Sequence, residues 1–225
     1  MNDINTTGKA SPASGTRSKP LRFLAQLVSY VFHPVFMPAA MTFVLYHLTR
    51  QTSFAGIEPG MFYRWLAMIA LNTVFFPLFT VLLLKGLGFI KSIYMSDPKD
   101  RIIPLIGCMI FYFWANHVFS NSDEVPVLLH TLTLGSFWGI ILLFLVSIFY
   151  KVSMHTTAAG GMLGIMLVLL FTCPVNMVVP FFVAVVIAGV IGTARMLLGA
   201  HRIWEVWLGY FLGIAVQIGA YLYLR

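Results

Sequence analysis

The chain has 225 residues, 60% of them hydrophobic and only 9% charged, with a formal net charge of +7; a soluble domain carries about 25% charged residues. That deficit excludes a water-soluble globule, and the basic residues are dispersed at the ends of apolar runs rather than gathered into a patch. Such a distribution excludes nucleic acid as the partner and suits lipid headgroups or an anionic substrate.

Met1 to Pro20 is rich in Ser, Thr, Gly and Pro and carries Lys9, Arg17 and Lys19. It lacks the apolar stretch and cleavage site of a signal peptide, and its composition predicts a disordered tail. From Leu21 onward the chain reads as one transmembrane domain, residues 21–225. Runs long enough for a ~30 Å hydrocarbon core recur through it, without the short alternating segments of a transmembrane β-barrel. The expected fold is therefore all-α, a polytopic transmembrane helical bundle.

The first apolar region, Leu21 to Leu48, is broken by His33-Pro34 and again by Pro38. It predicts either an interfacial helix followed by a span or one kinked crossing. Six clearer spans follow, at about Met61–Leu84, Ile102–Phe119, Val127–Tyr150, His155–Phe171, Asn176–Leu198 and Ile203–Leu224. Cys108 and Cys173 fall in or at the end of these runs, where thiols pack as small hydrophobes, and two cysteines build neither a disulfide framework nor a thiolate metal site. His33, His117 and His130 are expected as helix-packing or interfacial residues.

Charge in or beside a span is costly and marks function by default. Three polar stretches stand out: Lys91 to Pro104, with Lys99 and Arg101; Lys151 to His155, with Ser153; and Arg195 to Glu205, with His201. Two crossings separate each from the next, so parity puts all three on one side of the membrane. In the third stretch His201 and Glu205 are four apart, on one face of a helix start. A carboxylate there accepts the Nδ1 proton and leaves Nε2 free as a nucleophile or base. The bland alternative is a helix-end ion pair between Glu205 and a basic neighbour such as Arg202. His155 opens a helix of small residues, Thr156-Thr-Ala-Ala-Gly160-Gly161-Met-Leu-Gly164, which lets backbones approach closely and would hold His155 against the helix bearing His201. A helix start also offers free N–H groups to an anion, and Ser153 adds a hydroxyl. Arg101, Arg195, Lys91 and Lys99 supply cations, and arginine forks match phosphate oxygens. No metal cluster is needed and no cofactor is implied.

These residues resemble the type 2 phosphatidic acid phosphatases, relatives of the vanadium haloperoxidases, whose motifs read K-x6-R-P, P-S-G-H and S-R-x5-H-x3-D. Ala194-Arg195, five residues, His201, three residues and Glu205 match the third, with Ala for Ser and Glu for Asp. Val152-Ser153-Met154-His155 keeps the Ser and His of the second. In the first, Arg101 is followed by Ile-Ile-Pro104, with Lys91 ten residues before it and Lys99 two before it. The resemblance implies a lipid phosphatase acting on a lipid phosphate or polyprenyl diphosphate without a metal. His201 would be the nucleophile, Glu205 its orienter and His155 the proton carrier. Arg101, Arg195, Ser153 and one of Lys91 and Lys99 would hold the phosphate. It implies a bacterial inner-membrane protein with an outward-facing site, whereas counting positive charges with the first region spanning points the site to the cytoplasm. A phosphotransferase of the same superfamily, or a lipid-phosphate binding or translocating protein without hydrolysis, are the alternatives.

Overall fold

A computed structural model describes residues 19–90 and 101–225. Every regular element among them is helical: α1 (Lys19–Val31), α2 (Met37–Thr49), α3 (Pro59–Ala70), α4 (Phe76–Gly86), α5 (Ile102–Ser120), α6 (Val127–Phe149), α7 (Met154–Thr172), α8 (Val178–Leu197) and α9 (Ile203–Leu224). They make seven helical stretches long and apolar enough to cross a membrane, α1 with α2 and α3 with α4 each counting as one. Large apolar side chains such as Phe149, Phe171, Phe182 and Phe211 are exposed on the outer surface, as lipid-facing residues must be. The protein is an integral membrane helical bundle.

The first region divides at the break expected from its sequence. α1 ends at Val31, and Pro34–Phe36 form a single 3₁₀ turn capped by His33, whose Nδ1 accepts the Val35 N–H at 3.4 Å. The halves take different partners: α1 packs on α8, while α2 packs among α3, α6 and α7. Lys19 and Pro20, assigned to the tail by composition, are the first residues of α1.

The second span carries an irregularity that its composition did not announce. Leu71–Phe75 form a π turn between α3 and α4, with the Phe76 N–H bonded to Leu71 O. Pro77 follows directly and has no N–H for a regular turn; the widened turn accommodates it. Asn72 Nδ2 and Thr73 Oγ1 donate to Met68 O and Ile69 O, both at 2.9 Å, so side chains serve the carbonyls there.

α7 is the most enclosed span, with 56% of its apolar window buried against 22–39% for the others. Its closest neighbour is α9, and glycines explain the approach. Gly160-x-x-x-Gly164 on α7 faces Gly209-x-x-x-Gly213 on α9. A Cβ on Gly213 would strike the backbone at Thr157 O and Gly161 N, and one on Gly160 would strike Tyr210 O. With no hydrophobic force between helices in lipid, such backbone contact is what holds spans together. The register runs in parallel: Gly209 lies against Ser153 and Thr157, and Gly164 against Ile214. Both helices therefore start at the same face of the bundle.

Candidate active site

Because α7 and α9 start side by side, their preceding loops meet. The Ser153 N–H bonds to Glu205 O at 3.4 Å, and Arg101, at the start of α5, donates from Nη1 to Val152 O at 3.3 Å. Two hydrogen bonds, one from a side chain and one between backbones, thus tie the three polar stretches to one another.

The turn between α8 and α9 is closed by a Schellman arrangement. Gly199 adopts φ +66°, its N–H bonds to Met196 O, and the Ala200 N–H bonds to Arg195 O. A side chain strains that backbone, which is why a glycine stands there. The reversal leaves Arg195 in the last turn of α8, where the helix dipole favours a cation, and brings His201 round to the start of α9. There His201 Nδ1 lies 2.7 Å from Glu205 Oε2, with Glu205 buried. A carboxylate only accepts, so Nδ1 carries the proton and Nε2 keeps its lone pair.

Burial is the main influence that pushes the His201 imidazole down to about 4 from its ordinary 6.5. The hydrogen bond and charge of Glu205 oppose it, and the Arg195 and Arg101 guanidiniums reinforce it. His201 is therefore neutral at physiological pH. The linkage has a definite sign: between pH 6.5 and about 4 the unfolded chain gains a proton here that the folded chain refuses. Stability from this group thus falls as pH drops through that window. The His201 ring, followed by its NMR resonances, should stay neutral well below pH 6, with a titration midpoint near 4. A midpoint at 6.5 would show a solvated histidine.

His155 sits beside this pair on α7. Its Nε2 lies 3.0 Å from Ser29 O, a carbonyl, so Nε2 is the protonated nitrogen and Nδ1 is left for proton exchange. Arg195 donates from Nη1 to Ser29 Oγ at 3.1 Å, and its Nε is buried without a partner among the described residues. Ser29 thus holds both a histidine and an arginine of the site, and it is itself buried. The His33 ring stands edge-on to His155, with centroids 5.4 Å apart. Sequence reasoning missed both residues: it passed over Ser29 and read His33 as packing. Their partners lie more than a hundred positions away, and no local spacing signals the contact.

The structure thus brings His201, Glu205, Arg195, His155 and Arg101 to one end of the bundle. Arg101 is 7% exposed and so is enclosed. Ser153 is fully buried, and its Oγ accepts the Thr156 N–H at 3.4 Å as the cap of α7. Lys91 and Lys99 lie outside the described residues. His117 stands apart, stacked on Phe113 near the opposite end of α5. Cys108 and Cys173 are free thiols, partly buried, as expected of small packing residues. Among the described residues no three His, Cys, Asp or Glu side chains are grouped to hold a metal ion.

The arrangement combines an oriented neutral imidazole, a second imidazole with one exchangeable nitrogen and two guanidiniums, one at the start of α5 and one at the end of α8. Such a set can receive a phosphoryl group and stabilise its charge. No family model, curated protein or solved structure matches this chain.

Proposed function

We propose that the protein is a membrane lipid phosphatase of the type 2 phosphatidic acid phosphatase kind, hydrolysing a lipid phosphate or diphosphate through a phosphohistidine. The observation that carries this reading is the 2.7 Å His201–Glu205 pair held beside Arg195. A helix-end ion pair would instead join Glu205 to a basic neighbour such as Arg202. His201 Nε2 attacks phosphorus, and the bond from phosphorus to the leaving oxygen breaks. Glu205 stabilises the positive charge that develops on the ring. His155 Nδ1, unprotonated at rest, takes the proton that the phosphate monoanion brings and passes it to the departing oxygen. It then takes a proton from water, which attacks the phosphohistidine, breaks the P–N bond and frees phosphate. Arg195 and Arg101 hold the phosphate oxygens, and Ser153 contributes by fixing the end of α7. One of Lys91 and Lys99 completes the cationic set. The lipid reaches the site laterally, with its tail in the bilayer.

Phosphate release from a panel of detergent-solubilised lipid phosphates tests the reading. Release is expected to survive EDTA, since arginines neutralise the charge, and to be inhibited by vanadate, which mimics five-coordinate phosphorus. Loss on chelation with recovery on adding magnesium or zinc would assign the chemistry to a metal. Binding of the panel without release would identify a carrier, and transfer to a second lipid without release a phosphotransferase.

A further inference from the structure

Ser29 meets the site twice, and each contact has its own physical origin. The first belongs to its hydroxyl. The Ser29 O–H donates to Ala25 O at 2.9 Å, one turn back on α1, so an Oγ lone pair is left to accept from Arg195 Nη1. A guanidinium only donates, and one already anchored at a corner loses less freedom when it meets a phosphate.

The second contact belongs to the backbone, and Pro34 creates it. A residue before proline is driven out of the helical region, and His33 is extended, with ψ 136°. In an unbroken helix the His33 N–H would serve Ser29 O; here it bonds to Tyr30 O at 3.3 Å. Ser29 O thus becomes one of the carbonyls orphaned at a helix end, and His155 Nε2 takes it at 3.0 Å. Neutral His33 cannot stand in as that acceptor. The Val35 N–H donates to its Nδ1, which puts the ring's own proton on Nε2. The negative end of the α1 dipole also lies at Ser29 O and favours positive charge, which His155 carries while Nδ1 holds the transferred proton. Ser29 O is to His155 what the Glu205 carboxylate is to His201: the acceptor that fixes which nitrogen is free.

We infer that Ser29 is a positioning residue for the phosphoryl chemistry, its hydroxyl holding Arg195 in place and its carbonyl fixing His155 with Nδ1 free. This role rests on the phosphatase reading, and it makes α1 part of the working site although α1 itself touches no substrate.

The test uses the purified full chain in detergent, the lipid phosphate of the panel that releases phosphate fastest, and vanadate as the transition-state probe. Ser29→Ala removes the hydroxyl and keeps the carbonyl. It is expected to lower kcat by roughly ten- to a hundredfold, the range of one hydrogen bond to a charged group. KM should stay within about twofold, since the anchored guanidinium acts mainly on the transition state. The vanadate inhibition constant should rise in step with the fall in kcat, because Arg195 meets the five-coordinate state most strongly. Misfolding of part of the sample would lower apparent kcat and leave that constant unchanged. Ser29→Thr keeps the hydroxyl and should recover most of the loss. For the carbonyl, nitrogen NMR of labelled histidine should show His155 with Nε2 protonated and Nδ1 bare at neutral pH, its signals assigned by their loss in His155→Gln. Full turnover in Ser29→Ala would overturn the inference. So would a loss that Ser29→Thr does not recover, a vanadate constant that stays fixed, or a His155 proton on Nδ1. An unmodified protein that releases no phosphate from any lipid of the panel would remove the phosphatase reading and this role with it. Release that is indifferent to Ser29 would remove this role alone.

Discussion

His201→Ala is expected to abolish phosphate release, lowering turnover by at least roughly 10³-fold, because removing a nucleophile deletes the covalent route outright. Glu205→Gln should lower turnover by up to about 10⁴-fold, since the carboxamide N–H can donate to Nδ1 and impose the wrong tautomer, and the amide brings no charge to stabilise the ring as it attacks. Lipid binding should remain close to that of the unmodified protein in both variants, because the guanidiniums that hold phosphate are untouched. The two measurements together separate mechanism from misfolding: binding retained with turnover lost is the signature of a missing nucleophile. Unchanged turnover in His201→Ala would reject the phosphohistidine.

The other large effect concerns the seam that assembles the site. Gly213→Leu should prevent a properly folded bundle from accumulating, because even its Cβ would collide with the α7 backbone at Thr157 and Gly161. Overpacking within a core costs about 1–3 kcal/mol where side chains can yield; a backbone cannot yield in this way, so the cost here should exceed that range. The check is the monodisperse fraction on size exclusion together with the thermal midpoint in detergent. Gly189→Leu is the control, for nothing lies within 4 Å of a Cβ there, and it should behave as the unmodified protein. Equal behaviour of the two variants would show that α7 and α9 are held by something other than their glycines.

Much of the architecture is legible in the chain itself, for a physical reason. A bilayer requires every backbone polar group inside it to be satisfied within the protein, so apolar runs of spanning length become helices. The helices from α5 to α9 consequently begin and end within a few residues of the runs seen in the sequence. The His33-Pro34 break was visible because proline interrupts the interior of a helix, whereas Pro38, in the first turn of α2, is tolerated. Parity then followed by counting crossings. The His201–Glu205 contact was visible from their spacing of four, although His201 stands in the turn before α9 rather than on the helix itself, and the small residues of α7 pointed to the helix bearing His201 as their partner.

Which residues of that partner make the seam is what only the tertiary structure decided. Gly209 and Gly213 acquire meaning only opposite Gly160 and Gly164, and that pairing brings the starts of α7 and α9 together. The same holds for Ser29, which receives Arg195 and His155 across more than a hundred residues, and for Pro77, which the π turn before it accommodates. Periodicity and hydropathy report how each residue faces its own helix and the solvent around it. They carry no information on which helix stands opposite, because in lipid one apolar face looks much like another until backbones and polar groups meet.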